Sequence, residues 1–187
     1  VSYNNLVIKY GYINGCFQPL TNGHAKLIIN AAKLVDYLCV FRSIKQRDKQ
    51  FEWLYFEYEW SLLLKELEEQ QLTNVRFIGS IQSPRKDVLV HLHWFDEIGD
   101  DSEHWLFSDE EDIIEDSQLE KFCPTMLKNN QIIKHQTPRE LTDGISGIKM
   151  RNWFKENNQL EFLKGLPDFI PEQVKVDIWN YAKQTNK

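Results

Sequence analysis

The chain has 187 residues, 42% of them hydrophobic and 13% aromatic, which suits one domain with a sizeable core. A formal charge of −6 and a pI near 5.4 set the overall field against nucleic acid and anionic membrane surfaces, so any anionic ligand must be held by a local pocket. No apolar run approaches the ~18 residues of a membrane span, and no basic-then-apolar secretion signal opens the chain, so a soluble cytoplasmic protein is expected.

In chain order, "LVIKYGYI" (6–13) reads as a buried first strand, and Leu27, Ile28, Ala31, Ala32 and Val35 then form a helical apolar stripe. "YLCVFRS" (37–43) suits a second strand, and residues 51–71 are rich in helix formers. "NVRFIGS" (74–80) and "EHWLFS" (103–108) read as strands three and four, with a helical stretch around "VLVHLHWF" between them. The acidic run "SDEEDIIEDS" (108–117) is read as a solvated loop or helix start. "QIIKH" (131–135) is a fifth strand, "SGIKMRNWFKEN" starts a helix, and "PEQVKVDIWNYAKQ" forms a last one with Pro171 in its first turn. Alternating strands and helices predict an α/β fold, a doubly wound parallel five-stranded sheet with helices on both faces. Residues 1–187 are read as a single domain, with 156–187 as a C-terminal helical extension. Of the scattered cysteines Cys16, Cys39 and Cys123, the first two adjoin apolar segments, which suits buried thiols in a reducing compartment.

One stretch carries more chemistry than its geometry requires. "GYINGCFQPLTNGHAKLI" (11–28) passes from strand to helix, and a turn needs its glycines and proline but not Thr21 and His24 three residues apart. In a doubly wound sheet, ligands bind beyond the carboxyl ends of the strands, where residues 14–24 fall. Gly15 would let the backbone approach a phosphate, and free N–H groups at the helix start favour an anion. Thr21 and His24 would offer a hydroxyl and a ring nitrogen to it. The plainer alternative makes Thr21 a helix cap and His24 an exposed helix residue.

"GCFQPLTNGHAKLI" resembles the signature of the nucleotidylyltransferase superfamily, GxFxPxTxGH or GxFxPxHxGH, with Gly15, Phe17, Pro19, Thr21, Gly23 and His24 in register. "TNGH" is similar to pantetheine-phosphate adenylyltransferases, whereas "FQP" looks more like nicotinamide-nucleotide adenylyltransferases of the archaeal and bifunctional types. "ISGIKMR" (145–151) is similar to the family's ISxTxxR motif, with Ile148 where threonine is usual. The resemblance spans roughly residues 7–155 and implies a Rossmann-like nucleotidyltransferase fold. It implies a triphosphate held by Gly15, Cys16, Phe17, Gln18, Gly23, Ser108, Asp109, Ser146, Gly147 and Ile148. His24, Thr21, Lys45 and Arg151 would carry the catalytic positions.

The reaction so implied transfers AMP from ATP to a small phosphorylated acceptor, with pyrophosphate leaving and Mg²⁺ arriving with ATP. Nicotinamide mononucleotide is the favoured acceptor, giving NAD, on "FQP" and on "GLPDFIPEQV", which is similar to the archaeal-type ending. Nicotinate mononucleotide is a second acceptor for the same site. A pantetheine-phosphate adenylyltransferase is the runner-up, ahead of a cytidylyltransferase or a citrate-lyase-ligase-type adenylyltransferase. A non-catalytic nucleotide-binding regulator is the alternative of another class, favoured by Ile148 alone. No nucleic-acid or membrane partner is expected, and a homo-oligomer is left open. Arg42, Arg47 and Lys49 compete with Lys45 for its role. The histidine pair His91 and His93 is weighed as a metal site and set below a helical reading. Trp94 and Trp105 are read as core residues before ring-stacking ones, and Glu110 to Asp112 as solvated.

Overall fold

A computed structural model of the chain describes residues 6–45, 53–109, 113–138 and 144–184. Its elements run β1 (Lys9–Gly15), α1 (Asn22–Ala32), β2 (Tyr37–Ser43), α2 (Trp53–Glu69), β3 (Val75–Ser80), α3 (Pro84–Ile98) and β4 (Glu103–Ser108). They continue with α4 (Asp116–Phe122), α5 (Pro124–Lys128), β5 (Ile132–Gln136), α6 (Gly147–Lys155), α7 (Gln159–Gly165) and α8 (Glu172–Gln184). The five strands form one parallel sheet in the order β3-β2-β1-β4-β5. From β1 the chain steps outward to β3, then returns to β4 on the other flank of β1. That reversal places a topological switch point between β1 and β4, where open α/β sheets bind ligands.

Period-two alternation sorts the strand residues onto two cores. Ile13, Val40 and Phe107 join α1, α2, α6, α7 and α8 on one face, while Tyr12, Phe41 and Leu106 join α3, α4 and α5 on the other. Phe162 of α7 and Trp179 of α8 lie in the same cluster as α1, so the C-terminal helices share the first core. Gly11 permits a close approach at the centre of that face. A Cβ there would fall 2.9 Å from both the Phe107 ring and the Val35 side chain.

Several expectations need correction. The first strand begins at Lys9, because Leu6 to Ile8 are exposed. The acidic run leads into a helix start, one of its two readings, with Asp116 opening α4, but Ile114 is buried in the second core rather than solvated; Glu110 to Asp112 lie outside the described residues. Trp94 is no core residue: it is 65% exposed on the outer face of α3. Trp105 is partly buried against the first core and donates its indole N–H to Glu103. His93 is bonded to the Phe122 carbonyl and His91 meets the rings of Tyr12 and Phe41. Among the described residues, no group of three His, Cys, Asp or Glu side chains is arranged to hold a metal. Cys16 and Cys39 are only half-buried, and Cys123 is the fully buried thiol. No helix among the described residues is long and apolar enough to cross a membrane.

Candidate functional site

The loop from β1 to α1 is built around Phe17. Its φ of 50° is in the left-handed region, which a bulky residue keeps only where its surroundings enforce it. The surroundings are two edge-on rings, His24 at 4.9 Å and Trp60 of α2 at 5.5 Å. Gly15 is small for the same reason, since a Cβ on it would stand 2.9 Å from the Phe17 ring.

The Thr21 and His24 spacing is a reciprocal cap. The His24 amide donates to Thr21 Oγ1 at 3.2 Å, and the Thr21 amide donates to His24 Nδ1 at 3.3 Å. This is a capping box with histidine in the place usually taken by glutamate or glutamine. It has a chemical consequence. Because Nδ1 accepts, a neutral His24 must carry its proton on Nε2, and burial lowers its pKa to about 4 despite the opposing Asp109 carboxylate. His24 therefore presents a neutral N–H donor along the cavity wall. Asn22 works elsewhere in the loop. Its side chain donates to Asp168 at 3.1 Å and accepts from the Asp168 amide at 3.0 Å, tying the loop to the segment before α8.

The second wall is the start of α6. Ser146 caps that helix by accepting from the Lys149 amide at 3.2 Å. Arg151, one turn on, donates from Nη1 to the Gln18 carbonyl at 2.7 Å and so joins the two helix starts. Gly147 makes room for it, because a Cβ there would lie 3.1 Å from Arg151 Nη1. The Gln18 side chain is 4% exposed and donates to the Lys45 carbonyl at 2.9 Å, fixing the segment after β2 as well.

Between these walls lies a cavity of about 360 Å³ at the switch point. It is lined by Gly15, Cys16, Phe17, Gln18 and His24 from the first motif, and by Ser146, Gly147, Ile148 and Arg151 from the second. Ser108 and Asp109 at the end of β4, also singled out by sequence, lie on the lining as well. Three expected residues are not on the lining. Thr21 is fully buried with its hydroxyl engaged by the His24 amide, so it does not face an anion there. Gly23 is buried within α1, away from the lining. Lys45 is exposed and reaches the site only through its carbonyl. Arg42 is engaged by Glu57 and stacked over Trp60, while Arg47 and Lys49 lie outside the described residues. Ile148 is 60% exposed and lies on the lining. Asn14, from the 14–24 stretch but not named as a site residue, lines the cavity too, and so do Ile13, Leu27 and Phe107, which were not anticipated. Strand alternation marks Ile13 and Phe107 as inward-facing, but nothing in their letters separates cavity lining from core.

Comparison with known proteins bears on this geometry. A family model described as Cytidylyltransferase-like matches residues 12–152, a span that runs from β1 through Arg151. No curated protein matches the sequence significantly. Among solved structures, a protein of Vibrio parahaemolyticus, provisionally described as a nicotinate-nucleotide adenylyltransferase, is similar at 14% identity. That alignment covers 92% of this chain and 95% of that one, with a TM-score of 0.51. TmcAL of Thermotoga maritima, solved with alpha-thio ATP, is similar at 14% identity and a TM-score of 0.53, over 95% of this chain and 56% of that one. At such identity these two likenesses establish the Rossmann-like fold alone.

Proposed function

The chain belongs to the cytidylyltransferase-like family of the nucleotidylyltransferase superfamily, and on that premise we propose that it transfers AMP from ATP to nicotinamide mononucleotide, giving NAD and pyrophosphate. The observation that carries this reading is the hydrogen bond from Arg151 to the Gln18 carbonyl. It brings two helix starts and a neutral histidine donor onto one cavity, an arrangement suited to a polyphosphate.

In this reading a phosphate oxygen of the acceptor attacks the α-phosphorus of ATP. The new P–O bond forms there while the α–β bridging P–O bond breaks, and the electron pair leaves with pyrophosphate. The nucleophile is already an anion, so no general base is required and positioning with charge neutralisation carries the rate. His24 Nε2–H donates to a phosphate oxygen, and the N–H groups of Arg151 not used on Gln18 take others. The amides at the start of α6 add further donors. Mg²⁺ enters with ATP as part of the substrate, held by phosphate oxygens and water. The acceptor choice is supported by "FQP" and by the "GLPDFIPEQV" segment, whose Asp168 is bonded to Asn22 of the same loop. Nicotinate mononucleotide fits the same reading, as does a cytoplasmic location.

One observation favours a second reading. Ile148 stands exposed where the family pattern has a hydroxyl, which suits a nucleotide-binding regulator without turnover. The test is pyrophosphate release from ATP with each candidate acceptor: nicotinamide mononucleotide, nicotinate mononucleotide and phosphopantetheine. NAD formed in step with pyrophosphate is the expected result. Product only from phosphopantetheine moves the assignment to the runner-up, and ATP binding without pyrophosphate from any acceptor moves it to the regulator.

A further inference from the structure

Beneath the loop, α2 presents a carboxyl that the proposed reaction does not use. Glu59 is fully buried; its Oε2 accepts from the Leu20 amide at 3.1 Å, and its Oε1 has no hydrogen-bond partner. Burying a carboxyl with one oxygen unsatisfied is costly, so the bond it does make needs a reason. The next residue, Trp60, meets the Phe17 ring. Consecutive residues of α2 thus hold the loop at two points, its main chain at Leu20 and its aromatic wedge at Phe17. Leu20 lies between Gln18, whose carbonyl receives Arg151, and Thr21, which caps α1.

We propose that Glu59 is a positioning residue for the loop between β1 and α1, acting through the Leu20 amide to set where His24 and the Gln18 carbonyl stand. It is not on the cavity lining, and its effect on a ligand rests on the functional reading above. Burial pushes its carboxyl up to about 8, with the Leu20 amide pulling the other way, so it is neutral at pH 7. The charged and titratable groups around this part of α2 are Arg42 of β2, stacked over Trp60, Glu57 of α2, paired with Arg42, and His24 across Phe17. Unfolding lets Glu59 ionise above about 4.5, so its contribution to stability falls as pH rises from there to about 8.

The test compares the wild type with Glu59→Gln and Glu59→Leu by backbone hydrogen exchange, thermal melts across pH, and ATP titration. Glutamine still offers an oxygen to Leu20, so its loop is expected to stay protected. Leucine offers none, and exchange across residues 14–24 should quicken about tenfold, with ATP binding weakened to a similar degree. The melting temperature of Glu59→Gln should gain on the wild type as pH rises between about 5 and about 8. Unchanged loop exchange in Glu59→Leu overturns the proposal, and so does equal ATP binding by all three proteins. If the leucine variant loses protection throughout, the glutamine variant decides. A protected loop with the pH-dependent gain supports the role of Glu59, and absence of either contradicts it. Should the wild type itself not bind ATP, the proposed reaction falls, while exchange and melts still decide for Glu59.

Discussion

His24 and His104 occupy opposite faces of the sheet, and burial lowers the pKa of each to about 4. Their surroundings differ in one respect. His104 is fully buried and spends both ring nitrogens, Nδ1 with the Tyr12 hydroxyl at 2.9 Å and Nε2 with Ser102 at 3.2 Å. His24 spends only Nδ1, on the amide of its own helix cap, and leaves Nε2 at the edge of a cavity. A perturbed histidine is therefore not by itself a functional one. What separates the two is whether the second nitrogen is satisfied inside the protein.

Exchanging the two histidines for alanine should separate chemistry from stability. His24→Ala is expected to lower kcat by about 10²–10³, the cost of one preorganised donor, while the lost cap costs folding only about 0.5–1 kcal/mol. His104→Ala should do the reverse. It strands the buried hydroxyls of Tyr12 and Ser102 and opens a void, for a loss of about 3 kcal/mol with turnover per folded molecule kept. Steady-state kinetics paired with thermal melts checks both. Near-normal turnover in His24→Ala would remove His24 from the chemistry.

Arg151 extends the contrast to the second wall. Arg151→Lys keeps the charge but not the fork that spans the Gln18 carbonyl and a phosphate, so kcat/KM for ATP should fall about tenfold. An ATP dependence unchanged in the lysine variant would place the guanidinium outside the ligand's reach.

Much of this fold was legible in the letters. The strand-forming runs and the first helix were read from apolar pattern, and the TNGH and ISGIKMR turns, found by their resemblance to the family's motifs, lie where parallel strands feed helices. Of the short helices, α5 was not legible, α4 was read only as one alternative for the end of the acidic run and α7 only as part of a C-terminal helical extension, because five to seven residues carry too little periodicity to register. Within the site, the sequence brought the two motifs together but included three residues, Thr21, Gly23 and Lys45, that do not line the cavity. Thr21 looked like a ligand because a hydroxyl beside a helix start serves either a cap or an anion, and only burial tells which. Glu59 was invisible, since its partner is a backbone amide 39 residues away. Lys45 had the right charge in the right segment, but its side chain stands in solvent.

Acid should expose the histidines together. Both imidazoles stay neutral in the fold down to about pH 4 and gain a proton below about 6.5 when unfolded. The unfolded chain therefore binds more protons in that window, and stability falls as pH drops through it. His24→Gln, which preserves the reciprocal cap, should make the fall shallower in melts across that range. A slope identical to the wild type would mean that His24 titrates alike in both states.

The smallest effect is expected at Ile148. Because it is 60% exposed, Ile148→Thr should leave the melting point unchanged and tighten ATP by about 0.5–1.5 kcal/mol, one net hydrogen bond, in titration calorimetry. A lower melting point with unchanged affinity would mean the side chain packs rather than faces the ligand.

The proposed reaction stands or falls on a polyphosphate seated against His24. An imidazole NMR titration of His24, followed with and without ATP, reads that contact at the atom concerned, with His104 as the control in the same spectra. ATP should raise the His24 pKa above its value of about 4, because the phosphate charge favours the imidazolium, and should leave His104 where it is. A His24 titration that does not move while ATP is bound would contradict the proposed placement of the polyphosphate.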